Sequence, residues 1–331
     1  MKGLFIMEQK VVELVYPPEV REGIERLVDI YAPPMRAAEA LENPSVLKDA
    51  DVIFSSWGGP TLDQAFLESA PNLKAMFYGA GTIKKIMTDA AWDRDIVITT
   101  ANDANAVPVA EYALSQILFL LKDGWKIARE VKQNKAYPNK RLMEITGGFG
   151  STVGIISLST VGRKVMELLR HFDIQVLLYD PFVSEAEAKK YNAELCSLEE
   201  IFSKSDVVSL HSPLLDETTG MINGEHFEKM KTNASFINTA RGAIVNEPEM
   251  IEVLRRREDI TAVLDVTYPE PPAEDSPLYE LPNVILTPHI AGSLGKECGR
   301  MGAYMLDELK RYVNDEALQW QVTKQKFDVM A

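Results

Sequence analysis

Three short segments place side chains of complementary chemistry directly after apolar, β-forming runs. "INTARG" puts Arg241 after one run, "DVTYPEPP" puts Glu270 after the next, and "LTPHIAG" puts His289 after a third. In a parallel sheet the strand C-termini share one edge, where ligands bind, so these three side chains are expected to converge. An arginine offers a planar fork to a carboxylate and polarises a neighbouring carbonyl oxygen. A histidine gives or takes a proton near neutral pH, and a carboxylate beside it favours the imidazolium form. Together they describe the reduction of a 2-keto acid, with Arg241 gripping the substrate, His289 supplying the proton and a nicotinamide supplying hydride.

A nucleotide site is suggested by "VGIISLSTVGRKV", residues 153–165, a strand running through a turn into a helix. Such a turn normally reads Gly-x-Gly-x-x-Gly: the first glycine for the tight turn, the second for close backbone approach to pyrophosphate, the third for helix–strand packing. Here those places hold Ser157, Ser159 and Gly162, with Thr160 and Val161 between the last two. A serine adds bulk where backbone should approach a ligand, but its hydroxyl can donate to a phosphate oxygen. Asp180 ends the next apolar run, 18 residues after Gly162. A carboxylate there accepts from both hydroxyls of an adenosine ribose and repels a 2′-phosphate, which favours NAD over NADP.

The elements that must position these residues follow a βα rhythm. "GLFIM", "DVIFSS", "LKAMFYGAG" and "DIVITTA" read as buried strands separated by helical or polar stretches, and a second series begins at Ser151. Residues 106–122 form the longest apolar helix-like stretch, with Pro108 comfortable only in its first turn. Asn246 is a plausible N-cap for the helix that follows it, with Glu249 completing a capping box. A further helix is expected from about Gly295 to Asn314. The expected fold class is α/β, with two doubly wound parallel-sheet domains.

Bulk composition narrows the function. At 331 residues, 46% hydrophobic and 25% charged, the chain is a globular protein large enough for two domains. Its formal net charge of −14 argues against a nucleic-acid or anionic-lipid partner. The two cysteines, Cys196 and Cys298, have no spacing that suggests a metal site or disulfide framework. No stretch approaches the roughly 18–20 apolar residues of a membrane span, and a cytoplasmic location is expected.

The sequence resembles the D-isomer-specific 2-hydroxyacid dehydrogenases, the family of glycerate, phosphoglycerate, lactate and glyoxylate/hydroxypyruvate enzymes. The likeness runs through "YGAGTIKKI", "ANAVPVAEYAL", "LLYDP", "SDVVSLHSPLLDETTGMIN", "ASFINTARGAIVN", "LDVTYPEP" and "LPNVILTPHIAGS". "HSPLLDETTGMIN", "INTARG" and "TPHIAG" in that order are highly specific. The resemblance implies a Rossmann NAD-binding domain over residues 102–292. It also implies a flavodoxin-like substrate domain from residues 1–101 plus 293–331, with the active site in the cleft between the two. Arg241, Glu270 and His289 take the catalytic places. Ala80 and Gly81 lie in the loop whose amides hold the substrate carboxylate, and Trp57 is a candidate pocket wall. Asp265 falls where the family contacts the nicotinamide carboxamide, and His211, Pro213, Thr218, Thr239 and Ala240 fall along the cofactor groove. The resemblance also implies a homodimer formed through the cofactor domain.

Two departures stand out. Ser157 and Ser159 replace the turn glycines, which puts cofactor affinity in question. "GAGTIKK" places Lys84 and Lys85 near the expected substrate entrance, either as a solvated helix start or as an attractor for a second anionic group. The implied activity is hydride transfer between NAD(H) and a small D-2-hydroxy acid or its 2-keto partner. The alternative, an NAD(H)-sensing regulatory protein on the same scaffold, has only the two serines in its favour. A third possibility, an NADP enzyme, is opposed by Asp180.

Overall fold

Runs rich in Val, Ile, Leu and Phe become parallel strands covered on both faces, the pattern that makes such strands continuously apolar. The computed structural model describes residues 1–329. They form two units, residues 1–106 with 293–329 and Val107–Gly292, each built on one sheet.

In the first unit the strands are β1 (Lys2–Ile6), β2 (Asp29–Ile30), β3 (Val52–Ser55), β4 (Ala75–Tyr78) and β5 (Val97–Thr100), in the order β2-β1-β3-β4-β5 and all parallel. This is the flavodoxin-like strand order. Side chains alternate between two cores. Leu4, Ile6, Ile53 and Met76 pack on one face with Phe66, and Phe5, Phe54 and Phe77 pack on the other with Tyr16 and Met305. The helix Cys298–Val313 buries Cys298, Met301, Met305 and Leu309 against the second face, the spacing of an amphipathic helix. Gly302 lets it lie close: a Cβ there would stand 1.9 Å from the Val15 carbonyl oxygen. The chain then returns along the sheet. Thr100 N–H donates to Trp320 O and Val322 N–H to Ile98 O, an antiparallel pairing on the outer edge of β5.

The second unit holds β6 (Thr152–Ile156), β7 (Gln175–Tyr179), β8 (Ala193–Leu195), β9 (Val207–Leu210), β10 (Ser235–Asn238), β11 (Thr261–Leu264) and β12 (Val284–Leu286). All pairings are parallel, in the order β8-β7-β6-β9-β10-β11-β12. The two expected doubly wound sheets are thus both present. The order reverses between β6 and β9, which makes that gap the switch point where open α/β sheets bind ligands. Register then sets which residues share the edge. Tyr179, Ile156, Leu210, Asn238, Leu264 and Leu286 are successive cross-strand partners. The residues that follow them, Asp180, Ser157, His211, Thr239, Asp265 and Thr287, therefore lie in one row at the C-terminal edge.

Several local expectations are revised. The long helix spans Asn102–Leu120, so Pro108 lies in its interior. Proline carries no N–H, so the helical bond to the Ala104 carbonyl is missing there, beside the point where the chain passes from one unit to the other. Asn246 does accept from Glu249 N–H, but Glu249 does not return a bond to the Asn246 backbone. Its carboxylate takes Gly224 N–H and Asn246 Nδ2 instead. The short strands β2 and β8 carry too little periodic signal to stand out in the sequence.

Candidate active site

The turn after β6 departs from glycine geometry in a specific way. Ser157 has φ +78°, a left-handed conformation that glycine tolerates and other L-residues adopt at a cost. The backbone therefore keeps the path of the glycine turn despite the side chain. Ser159 becomes the N-cap of the helix Thr160–Leu169, its Oγ accepting from Gly162 N–H at 3.3 Å. Thr160 and Val161 form the first turn of that helix, whose amides point toward any anion placed there. Gly162 cannot be replaced without movement: a Cβ would stand 2.1 Å from the Ser157 carbonyl oxygen. Asp180 is already engaged. Its Oδ2 accepts from Ser157 Oγ at 3.2 Å and Leu158 N–H at 2.8 Å, and its Oδ1 from Phe182 N–H at 2.9 Å.

Further along the row, His211 is buried, with Nε2 3.0 Å from Ser209 Oγ. Burial pushes its pKa down to about 3, so the ring is neutral. Its Nδ1 and the Thr239 hydroxyl are buried without a hydrogen-bond partner. Orphaned polar atoms of this kind on a ligand edge are the ones a bound group satisfies. With the close Gly162 turn and a carboxylate at the end of β7, the edge fits a dinucleotide. Thr218 is committed to its own loop, donating to Pro213 O at 2.7 Å and accepting from Leu215 N–H at 2.8 Å. Ala240 is tied to Asn238 through its N–H and accepts Arg241 Nη1 on its carbonyl.

The three candidate catalytic residues all belong to the second unit. Arg241 follows β10, and its carbonyl accepts from Asn238 Nδ2 at 3.1 Å. Burial lowers its pKa from the ordinary value, and the charge of Glu270 opposes that shift, so the guanidinium stays charged. Gly242 lets the next loop approach, because a Cβ at that position would stand 2.0 Å from the Thr267 carbonyl carbon. That loop carries Glu270 between two cis X–Pro peptides, Tyr268–Pro269 and Glu270–Pro271. It is anchored by Tyr268 N–H on Glu247 and by Thr267 Oγ1 on Pro269 O. His289 Nδ1 stands 2.6 Å from Glu270 Oε1. A carboxylate only accepts, so Nδ1–H donates and Nε2 is left for another partner. Both side chains remain partly open to solvent.

Asp265 directly follows β11. It is buried, and three bonds tie its carboxylate to the loop that carries His289. Oδ1 accepts from Thr287 Oγ1 at 2.6 Å and Ile290 N–H at 2.9 Å, and Oδ2 from Ala291 N–H at 2.8 Å. Its own carbonyl accepts His289 N–H, which helps hold His289 at φ +54°. Tyr112 OH lies 2.9 Å from Thr287 Oγ1. The single Thr287 proton is committed to Asp265, so Tyr112 donates. Sequence reasoning missed both Tyr112 and Thr287; the only signal was that each lies inside a segment carrying the family resemblance.

The remaining candidates lie on the first unit's own strand edge. Trp57 follows β3 and is 40% exposed. Ala80 follows β4 and is buried, with its N–H turned back onto Tyr78 O. Gly81 is flanked by the Asn102 and Asn105 side chains. Lys84 is no free cation: Nζ donates to Phe327 O at 2.6 Å and lies 4.4 Å from the centre of the Phe327 ring, holding the helix Lys324–Val329. Lys85 is exposed.

Comparison with known proteins bears on this geometry. Residues 114–291 match the model of the D-isomer specific 2-hydroxyacid dehydrogenase NAD binding domain. D-3-phosphoglycerate dehydrogenase of Archaeoglobus fulgidus is 34% identical over 248 residues, covering 75% of this chain and 47% of that protein. The putative 2-hydroxyacid dehydrogenase YoaD of Bacillus subtilis is 32% identical over 266 residues, covering 78% of this chain and 76% of its own. The chain spans about half the length of the curated phosphoglycerate dehydrogenases it matches. D-lactate dehydrogenase of Aquifex aeolicus, solved with NAD and lactic acid, superposes with a TM-score of 0.71 at 28% identity, over 95% of this chain and 96% of that one. The second unit is thus an NAD-binding Rossmann domain, and the chain belongs to the D-isomer specific 2-hydroxyacid dehydrogenase family.

Proposed function

We propose that the protein interconverts a small 2-keto acid and the corresponding D-2-hydroxy acid, with NAD(H) as hydride carrier. The observation that carries this reading is the 2.6 Å pair of His289 and Glu270, on the same sheet edge as Arg241 and the Ser157–Asp180 turn. Arg241 grips the substrate carboxylate through its planar fork and draws charge from the adjacent oxo group. Bound NADH would supply hydride to the carbonyl carbon. His289 Nε2 delivers a proton to the carbonyl oxygen, and in the reverse direction it takes the hydroxyl proton. Glu270 holds the ring through Nδ1 and stabilises the imidazolium. Asp265 fixes the loop that carries the ring. Asp180 would hold the adenosine ribose, the amides at Thr160 and Val161 the pyrophosphate, and His211, Pro213, Thr239 and Ala240 would line the groove. Trp57, Ala80 and Gly81 are kept as substrate contacts.

Replacing His289 or Arg241 by alanine is expected to lower kcat/KM by about 100-fold or more while the circular dichroism spectrum is unchanged. Near-wild-type rates in both variants, across a panel of 2-keto acids followed by NADH absorbance, would remove the assignment. The intact Arg241–Glu270–His289 set weighs against a sensor without turnover.

We also propose a cytoplasmic homodimer. The free thiols Cys196 and Cys298 suit a reducing compartment. Among the described residues no single helix is long and apolar enough to cross a membrane. The helix Gly124–Asn134 has an amphipathic pattern but no buried residue, and the segment after it exposes Tyr137, Leu142 and Phe149 at 90%, 79% and 86%. A surface of this kind on the cofactor unit suits a second copy of the chain.

A further inference from the structure

The geometry points to Ser157 as a built-in competitor for the cofactor's adenosine ribose. This inference rests on reading the β6–β7 edge as the NAD site, and it concerns affinity rather than turnover. A carboxylate offers about four acceptor positions. In Asp180 three are taken within the protein: Leu158 N–H and Ser157 Oγ on Oδ2, and Phe182 N–H on Oδ1. A ribose brings two hydroxyls to the acid at the end of this strand, but one acceptor position remains.

The three donors are not equivalent. The Leu158 and Phe182 amides are fixed by the chain path and cannot withdraw. The Ser157 hydroxyl hangs on one rotatable bond and is the only donor the ribose can displace. Its position follows from the backbone: φ +78° at Ser157 keeps the glycine-type turn and leaves the side chain within reach of Asp180. A glycine at this place would present no hydroxyl. Ser157 thus supplies internally the contact that the ribose would otherwise make, and each binding event must exchange one for the other. The consequence is weaker cofactor binding and easier release, with Asp180 still set against a 2′-phosphate.

Ser157→Ala is the decisive variant, because it removes the hydroxyl and keeps the Cβ. Titration calorimetry should show NADH and ADP-ribose binding about fivefold to tenfold tighter than to the wild type, the worth of one recovered hydrogen bond. Reduced nicotinamide mononucleotide, which lacks the adenosine ribose, should bind both proteins equally. The same variant should melt about 3 °C lower, since the free protein loses the Ser157–Asp180 bond at a residue still held at positive φ. Tighter binding joined to a lower Tm is a combination that general loosening of the fold does not produce. Ser157→Gly should match the gain in affinity without the fall in Tm. Unchanged or weaker NADH binding by Ser157→Ala would overturn the proposal, as would a hydroxyl that served the pyrophosphate. Failure of the wild type to bind NADH at all would remove the cofactor reading and this proposal with it.

Discussion

His211 makes the stability of the cofactor unit depend on pH in a way that can be worked out in advance. The ring is buried, and among the described residues it has no acidic partner and Ser209 Oγ as its only polar contact. Burial lowers its pKa from 6.5 to about 3 in the folded protein. Below pH 6.5 the unfolded chain takes up a proton at this residue and the folded chain does not. Its contribution to stability is therefore complete above pH 6.5 and is lost progressively as pH falls toward the folded value. Between pH 7.5 and 5.5 one such proton costs about 1.4 kcal/mol, and below that about 1.4 kcal/mol for each further unit of pH until the folded value is approached. The assay is equilibrium urea unfolding at both pH values, comparing the wild type with His211→Gln. Groups other than His211 titrate alike in the two proteins and cancel. The variant should lose about 1.4 kcal/mol less than the wild type over this interval. Equal losses would mean that His211 is hydrated or protonated in the native state, and the argument from burial would fail.

Two further outcomes follow from the site. Thr287→Val keeps the side-chain shape but strips Asp265 of one donor and leaves the Tyr112 hydroxyl without its acceptor. We expect kcat to fall about tenfold with a smaller change in KM and recovery by Thr287→Ser; an unchanged kcat would show that this chain of bonds does not position His289. Replacing Tyr137 and Phe149 together by serine should weaken self-association by at least tenfold in sedimentation equilibrium, and a wild type that sediments as a monomer at every concentration would end the dimer reading.

The edge of the second sheet was readable in sequence because position there depends on local pattern. An apolar run followed by a polar residue marks a strand end, and parallel register lines those ends up. Asp180 and Ser157 could be picked out in this way, whereas His211, Thr239 and Asp265 were marked by the family resemblance. What these residues bond to could not, because hydrogen-bond partners come from other strands and from loop paths that no local pattern encodes. Asp265 illustrates this: its carboxylate serves the loop 287–291, more than twenty residues downstream. Lys84, left open between a solvated helix start and an attractor for an anionic group, shows the same limit: its partner, Phe327, lies 243 residues away. Pro108 misled in the opposite direction. Local rules put a helix start near it, whereas packing carries the helix through.

The return of residues 320–322 along β5 bears on how the protein is handled. Any recombinant version cut back before Trp320 would uncover a ready template for intermolecular strand addition. Such a version should collect in inclusion bodies even though the proposed catalytic side chains, all in the other unit, are untouched. Shortening from this end is therefore a question of solubility before it is one of chemistry.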